Sequence, residues 1–206
     1  EKLAAALEGL PVQVEGRCCL DAGISTGGFS DCLLQHGASR IYGIDVGYGQ
    51  TAWSLRQDPR VVLRERTNLR HLAPEDLYGP DDPQPDLAVA DLSFISLSRV
   101  LEPMQKLLAG GPQAEAVLLV KPQFEVGRER VGKGGVVRDP KAHADAIALV
   151  AAAAQPLQWF PQGLVGSPIT GAAGNHEYLL WLGPNAELGS SDWSALIEQV
   201  VQSTNA

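Results

Sequence analysis

Apolar positions along the chain alternate between two rhythms. Short, nearly continuous apolar blocks bounded by glycine, proline or acids read as buried strands, and blocks with three- and four-residue spacing read as helices. By this pattern "RCCLDAG", "RIYGIDVG", "RVVLRER", "DLAVADLSF", "AEAVLLVKPQF", "GLVGSPI" and "HEYLLWLG" are strands in chain order. Between them lie helices: "EKLAAAL" at the start, "GGFSDCLLQHG" closed by Gly37, "QTAWSLRQD" stopped at Pro59, and "SLSRVLEPMQKLLAGG", which Pro103 is expected to bend. The alanine-rich "PKAHADAIALVAAAA" and the final "SDWSALIEQVVQS" complete the set, while "PEDLYGPDDPQP" reads as a polar loop after a helical turn at Leu69 to Leu72.

Strands alternating with helices predict a three-layer α/β fold with a mostly parallel, seven-stranded sheet. Too few residues separate the last two strands for a crossover helix, so one antiparallel strand is expected near the edge. That arrangement is the architecture of Rossmann-like methyltransferases.

Composition narrows the reading. With 206 residues, 45% hydrophobic and 19% charged, the chain fits one domain with a substantial core. No apolar run is long enough for a membrane helix, and no signal pattern opens the chain, so no stable membrane association is expected. Cys18, Cys19 and Cys32 make an odd count without a CxxC or Cys/His cluster. They read as core thiols of a reducing, cytoplasmic compartment, with no metal expected. The formal charge of −8 weighs against nucleic acid over the whole surface but not against a local basic patch.

Candidate chemistry begins in "LDAGISTGGFSD". Gly23, Gly27 and Gly28 follow G-x-x-x-G-G rather than the dinucleotide G-x-G-x-x-G, and would let a ligand approach the backbone. Asp21 disfavours phosphate and could instead receive an amino group. Asp45, at the end of the second strand, could accept two ribose hydroxyls, and Asn68 is placed to read adenine. Ser25, Thr26 and Phe29 in the loop and Val46 beside Asp45 complete the expected lining. Together they fit S-adenosylmethionine, an adenosine carrying an amino acid and no phosphate. The alternative is a tight turn with a helix cap at Ser25 or Thr26.

Asp91 and Lys121 end the fourth and fifth strands, beside that loop. They could act together in catalysis or form only a buried salt bridge. Glu177 alone reads as a solvated acid, and Lys2 alone as an ordinary helix residue. His176 is a conceivable base, whereas His36, His71 and His143 show no partner pattern.

The stretches "LDAGISTGGFSDCLLQHGA", "YGIDVGYGQTAWSLRQDPRV", "ERTNLRHL", "DLSFISL", "LLVKPQFEVGRE", "GGVVRDPKAH" and "GNHEYLLWL" resemble the TlyA (haemolysin-like) family of FtsJ-like ribose 2′-O-methyltransferases. The resemblance runs from Glu1 to about Leu182. It implies a Lys-Asp-Lys-Glu tetrad, carried here by Lys2, Asp91, Lys121 and Glu177, and S-adenosylmethionine in the glycine loop. It also implies ribosomal RNA or ribosomal subunits as substrate, with methylation of a cytidine ribose. Such a hydroxyl must lose its proton as it attacks. Lys121 is the expected group to bind or deprotonate it, with Asp91 and Glu177 orienting the lysines and Lys2 positioning the ribose.

Family members usually begin with an S4-like RNA-binding domain. Residues 1–206 are therefore expected to be the methyltransferase domain alone. In "VGRERVGKGGVVRDPK", Arg128, Arg130, Lys133 and Arg138 read as phosphate-gripping cations on a mobile, glycine-rich loop over the site, or else as a solvated loop. A membrane-active haemolysin and a non-catalytic RNA-binding module are the alternative functions.

Overall fold

The computed structural model describes residues 1–186 and 190–206. Seven strands form one sheet: β1 (Cys18–Asp21), β2 (Arg40–Ile44), β3 (Val61–Arg64), β4 (Leu87–Ala90), β5 (Glu115–Val120), β6 (Phe160–Gly166) and β7 (Tyr178–Gly183). Their spatial order is β3-β2-β1-β4-β5-β7-β6. All neighbours pair in parallel except β7, which runs antiparallel to both β5 and β6. The reversed strand is thus one in from the edge, in the seven-stranded α/β arrangement expected.

Among the described residues eight α-helices flank the sheet: α1 (Lys2–Gly9), α2 (Gly28–Gln35), α3 (Trp53–Gln57), α4 (Pro74–Leu77), α5 (Leu101–Lys106), α6 (Pro122–Glu125), α7 (Pro140–Ala154) and α8 (Ser190–Thr204). The central strands are buried on both faces, so alternate residues feed two cores. On one side Leu20, Ala88 and Leu118 meet Met104 of α5, Ile147 of α7 and Val201 of α8. On the other, Cys19, Val89 and Val117 meet Leu3 of α1 and Leu33 of α2. In α7, Ala142, Ala146, Val150 and Ala154 recur at four-residue spacing on the buried face. Asp139 caps this helix by accepting from the Lys141 amide, and Pro140 fills its first position. Burial raises the thiols of Cys18 and Cys19 to about 12, which suits inert core residues.

Three boundaries differ from the sequence reading, each around proline. β6 begins at Phe160 rather than Gly163, because a register shift at Pro161/Gly163 lets an edge strand absorb the proline. Pro103 does not bend a long helix. It lies in the first turn of α5, where its missing N–H costs nothing, after a separate 3-10 turn at Leu97–Arg99. Within the segment read as loop, Pro74 opens the short α4, whose Asp76 carboxylate accepts from the Ala73 amide.

Strand order reverses between β1 and β4: β1 leads outward to β2 and β3, whereas β4 leads to β5. Ligands of such sheets bind at this switch point, outside the strand carboxyl ends. The loops after β1, β2, β4 and β5 all end there.

Candidate active site

The loop after β1 is held open by its neighbours. Ser25 adopts a left-handed backbone, φ 47°. Its amide donates to Asp45 Oδ2 at 2.7 Å, and its carbonyl accepts from Thr51 Oγ1 at 2.9 Å. The Gly47 amide donates to Asp45 Oδ1, also at 2.7 Å. Asp45 therefore locks the first two loops together, and each oxygen, bonded once, can still accept another hydrogen bond. Gly27, with φ 102°, starts α2 without a side-chain cap, so the alternative reading of a cap at Ser25 or Thr26 does not hold.

These loops enclose a cavity of about 350 Å³ lined by Gly23, Ser25, Asp45, Val46, Asn68 and Asp91, among others. Leu69, Leu92, Ile95 and Val100 give it apolar walls, and no lysine or arginine lines it. Asn68 uses Oδ1 to cap the following 3-10 turn, accepting from the Arg70 amide at 3.1 Å, which leaves its amide nitrogen for a ligand. A smaller cavity of about 200 Å³ adjoins the first, sharing Gly23, Ser25 and Asp91, and adds Thr26, Gly28, Phe29 and Lys2.

Two residues expected to face the ligand lie elsewhere. Gly27 lines neither cavity; a side chain there would collide with Leu55. Asp21 is fully buried, on the face of β1 that packs beneath α2. It accepts from Ser30 Oγ at 2.7 Å and the Gly23 amide at 3.5 Å. Burial pushes its carboxyl up to about 6, although the Ser30 hydroxyl opposes the shift. Strand alternation explains the placement: Asp21 follows Leu20, which points to the opposite core.

The four candidate catalytic residues converge as two ion pairs. Lys121 Nζ lies 2.6 Å from Asp91 Oδ1 and donates to Ser93 Oγ at 3.0 Å. Lys2 Nζ lies 2.7 Å from Glu177 Oε2. Lys2, Lys121, Glu177 and Ser93 line a third cavity of about 410 Å³. Ser93 and Phe94 belong to the walls of both this cavity and the 350 Å³ one. Lys121 is 7% exposed and Glu177 2%, so Glu177 is not the solvated acid its isolated sequence position suggests. His176 faces the His143 ring, with centroids 6.2 Å apart, and lines none of these cavities.

Sequence reasoning missed three groups here. Ser93 holds Lys121. Phe94 is 91% exposed with φ 64°, and its ring leans on Phe124 at a centroid separation of 5.3 Å. An exposed aromatic in left-handed backbone is a costly arrangement, of the kind that concentrates at functional sites. Asn175 is buried; its Oδ1 accepts from the Val137 amide, and its Nδ2 donates to the Gly135 carbonyl, both at 2.9 Å. Their only sequence signal was adjacency to the motif acids and lysine.

Asn175 thereby fastens the basic loop to the hairpin that carries Glu177. The loop forms 3-10 turns at Arg128–Arg130 and Lys133–Gly135, and Gly134 and Gly135 wall the third cavity. Arg128, Lys133 and Arg138 are exposed. Arg130 differs: it pairs with Asp145 at 2.7 Å and Asp139 at 3.4 Å, so it braces the loop against α7 rather than standing free as a phosphate-gripping cation.

Known proteins resemble the chain in sequence and in fold. A family model described as FtsJ-like methyltransferase matches residues 1–184. The 16S/23S rRNA (cytidine-2′-O)-methyltransferase TlyA of Mycobacterium tuberculosis is 54% identical over 181 residues, or 88% of this chain. The chain spans 65% of the length of that relative. A solved structure described as a putative hemolysin from Lactococcus lactis superposes with TM-score 0.89 at 41% identity, covering 100% of this chain and 95% of that one. An S-adenosylmethionine-dependent methyltransferase from Mesorhizobium loti shares the fold at TM-score 0.60 and 17% identity, covering 88% of this chain and 96% of that one.

Proposed function

This chain belongs to the FtsJ-like methyltransferase family, and we propose that it methylates the ribose 2′-hydroxyl of a cytidine in ribosomal RNA, using S-adenosylmethionine. The observation that carries this reading is the shared wall: Ser93 and Phe94 divide a phosphate-averse, carboxylate-bearing cavity from one lined by Lys2, Lys121 and Glu177.

The residues present fit the donor. Asp45 offers acceptors for a ribose diol, Asn68 a donor for adenine, and the apolar walls a seat for its ring. A cavity with two carboxylates and no lysine or arginine suits a cationic sulfonium and not a pyrophosphate. When bound, S-adenosylmethionine supplies an electrophilic methyl group. Asp21 holds the glycine loop from beneath instead of touching the ligand.

Once Nζ has given up a proton to solvent, Lys121 can hold the ribose hydroxyl and take its proton as the oxygen attacks. Asp91 and Ser93 fix the direction of Nζ, and Asp91 stabilises the ammonium that results. Lys2, oriented by Glu177, positions the ribose. Phe94 presents a ring on which the attached base can stack. Arg128, Lys133 and Arg138 grip the phosphates, so a chain of charge −8 meets RNA through one local patch. Ribosomal RNA as substrate implies a cytoplasmic setting. Among the described residues no helix is long and apolar enough to cross a membrane.

Transfer of labelled methyl groups to isolated ribosomal subunits tests the reading. Incorporation at a ribose, lost in Lys121→Ala and Asp91→Ala, supports it. Wild-type incorporation in either variant refutes the mechanism, and lysis of red cells undiminished by Lys121→Ala supports the haemolysin reading instead.

A further inference from the structure

We infer that His143 is a positioning residue for RNA binding: a hydrogen-bond relay that starts at Asn205 holds it in one tautomer, and it fixes the end of the basic loop. The inference rests on the reading above that Arg128, Lys133 and Arg138 grip RNA. His143 lies on α7, is fully buried and takes no part in the methyl transfer. Its sequence context shows no partner, yet both ring nitrogens are bonded. Nδ1 meets Tyr178 Oη at 2.7 Å, and Nε2 meets the Val137 carbonyl at 2.9 Å. Asn205 Nδ2 donates to Tyr178 Oη at 2.9 Å and to the Val201 carbonyl at 2.8 Å.

A carbonyl stands at each end of this relay, and a carbonyl only accepts. At one end, Val201 requires a nitrogen on Asn205, so Tyr178 Oη accepts from that amide. At the other, Val137 requires a proton on Nε2. Burial lowers the pKa of the ring from its ordinary 6.5, so the imidazole is neutral and Nδ1 carries no proton. Nδ1 therefore accepts from the Tyr178 hydroxyl, and both ends demand the same direction of donation. The relay ends on a buried residue of the loop. The Val137 amide is held by Asn175 and its carbonyl by His143. Gly134 and Gly135 of the cavity wall precede it, and Arg138 follows it. Tyr178 opens β7 beside the carboxylate that pairs with Lys2. His143, Tyr178 and Asn205 line none of the three cavities, so any effect on RNA passes through the loop.

Reversing the relay tests it. Asn205→Asp keeps the shape and offers Tyr178 an acceptor in place of a donor. The hydroxyl then turns to it, Nδ1 takes the ring proton, and Nε2 faces the Val137 carbonyl as acceptor against acceptor. Asn205→Ala removes a donor but leaves the direction intact. Asn205 is half-buried just beyond α8, so its replacement spares the core. The KM for ribosomal subunits should rise roughly three- to tenfold in Asn205→Asp and in Tyr178→Phe. It should stay near wild type in Asn205→Ala and in Ser203→Asp, which adds the same charge elsewhere. In all four, kcat and S-adenosylmethionine binding should hold. Nitrogen-15 spectra should show His143 protonated on Nε2 in the wild type and on Nδ1 in Asn205→Asp. A merely structural role would make truncation to alanine the worse change. Equal KM in Asn205→Asp and Asn205→Ala with the wild type active, or a wild-type ring protonated on Nδ1, overturns the inference alone. A wild type that methylates no ribose in ribosomal RNA overturns the functional reading, and this inference with it.

Discussion

Glu177 receives the Lys2 ammonium at 2.7 Å across 175 residues of sequence, and the carboxylate is 2% exposed. The pair joins α1 to the start of β7 and lines the cavity of about 410 Å³. Gly171 lies so near the Glu177 carboxylate that any side chain there would displace it. Removing one member of such a pair strands a buried charge, which costs more than losing both. Lys2→Met should therefore destabilise the fold by about 2–3 kcal/mol, and Lys2→Met/Glu177→Gln by less than the sum of the single changes. Denaturant melts of the four proteins measure this coupling, and strict additivity would contradict it.

The Asp91–Lys121 pair sits where the two larger cavities meet, so its loss should act on rate more than on folding. Lys121→Ala should reduce methyl transfer by about 10²–10⁴-fold, leaving S-adenosylmethionine binding intact. Lys121→Arg should not restore it, because a guanidinium does not give up or accept a proton near neutral pH. Single-turnover rates with saturating donor separate this from a binding defect.

Much of this arrangement was legible in the sequence, because strand ends in a doubly wound sheet are forced to one edge. Asp45, Asp91 and Lys121 each follow an apolar run, and parallel topology gathers them. Side-chain direction was harder to read. Asp21 ends its strand like the others, yet alternation turns it under α2 toward Ser30. The strand read as starting at Gly163 begins earlier, because an edge position absorbs Pro161. The Lys2–Glu177 pair could not be read from either residue, since its meeting depends on how α1 packs against the closing hairpin. Asn175 is uncharged and only neighbours the motif acid, and its role exists only in the folded loop it holds.

Asn175 supplies both ends of its carboxamide to the basic loop, so the two ends can be separated by mutation. Asn175→Ala leaves the buried Val137 amide without an acceptor and should cost about 1–3 kcal/mol. It should also raise KM for ribosomal subunits more than it lowers kcat, since the loop walls the proposed substrate cavity while Lys121 is held by Asp91 and Ser93. Asn175→Asp keeps an acceptor for Val137 and loses the donor to Gly135. Its melting temperature should fall between those of the wild type and Asn175→Ala.

The loop cations should divide by their partners. Arg128, Lys133 and Arg138 are exposed, and each replaced by alanine should weaken RNA binding and lower the slope of log K against log salt by about 1. Arg130 is occupied by Asp145 and Asp139. Arg130→Ala should change that slope little and show instead as a small loss of stability, as expected for partly exposed pairs. Filter binding to ribosomal RNA across a salt series distinguishes the two classes, and equal slopes for all four variants would count against the assignment.

Asp21 makes stability depend on pH. Its folded carboxyl titrates at about 6, raised by burial from an ordinary 3.8. Below pH 3.8 both folded and unfolded chains hold the proton at this site, and the shift costs nothing. Between about 4 and 6 the unfolded chain has ionised while the folded chain still binds the proton, so stability falls as pH rises. Above 6 both states are ionised, and the full penalty, up to about 3 kcal/mol, persists. Asp21→Asn keeps an acceptor for Ser30 and removes the charge. Its stability relative to wild type should rise steadily from pH 4 to pH 6 and then level off. Urea melts of both proteins across that range check the sign directly. A difference independent of pH would mean that Asp21 is ionised in the folded chain throughout.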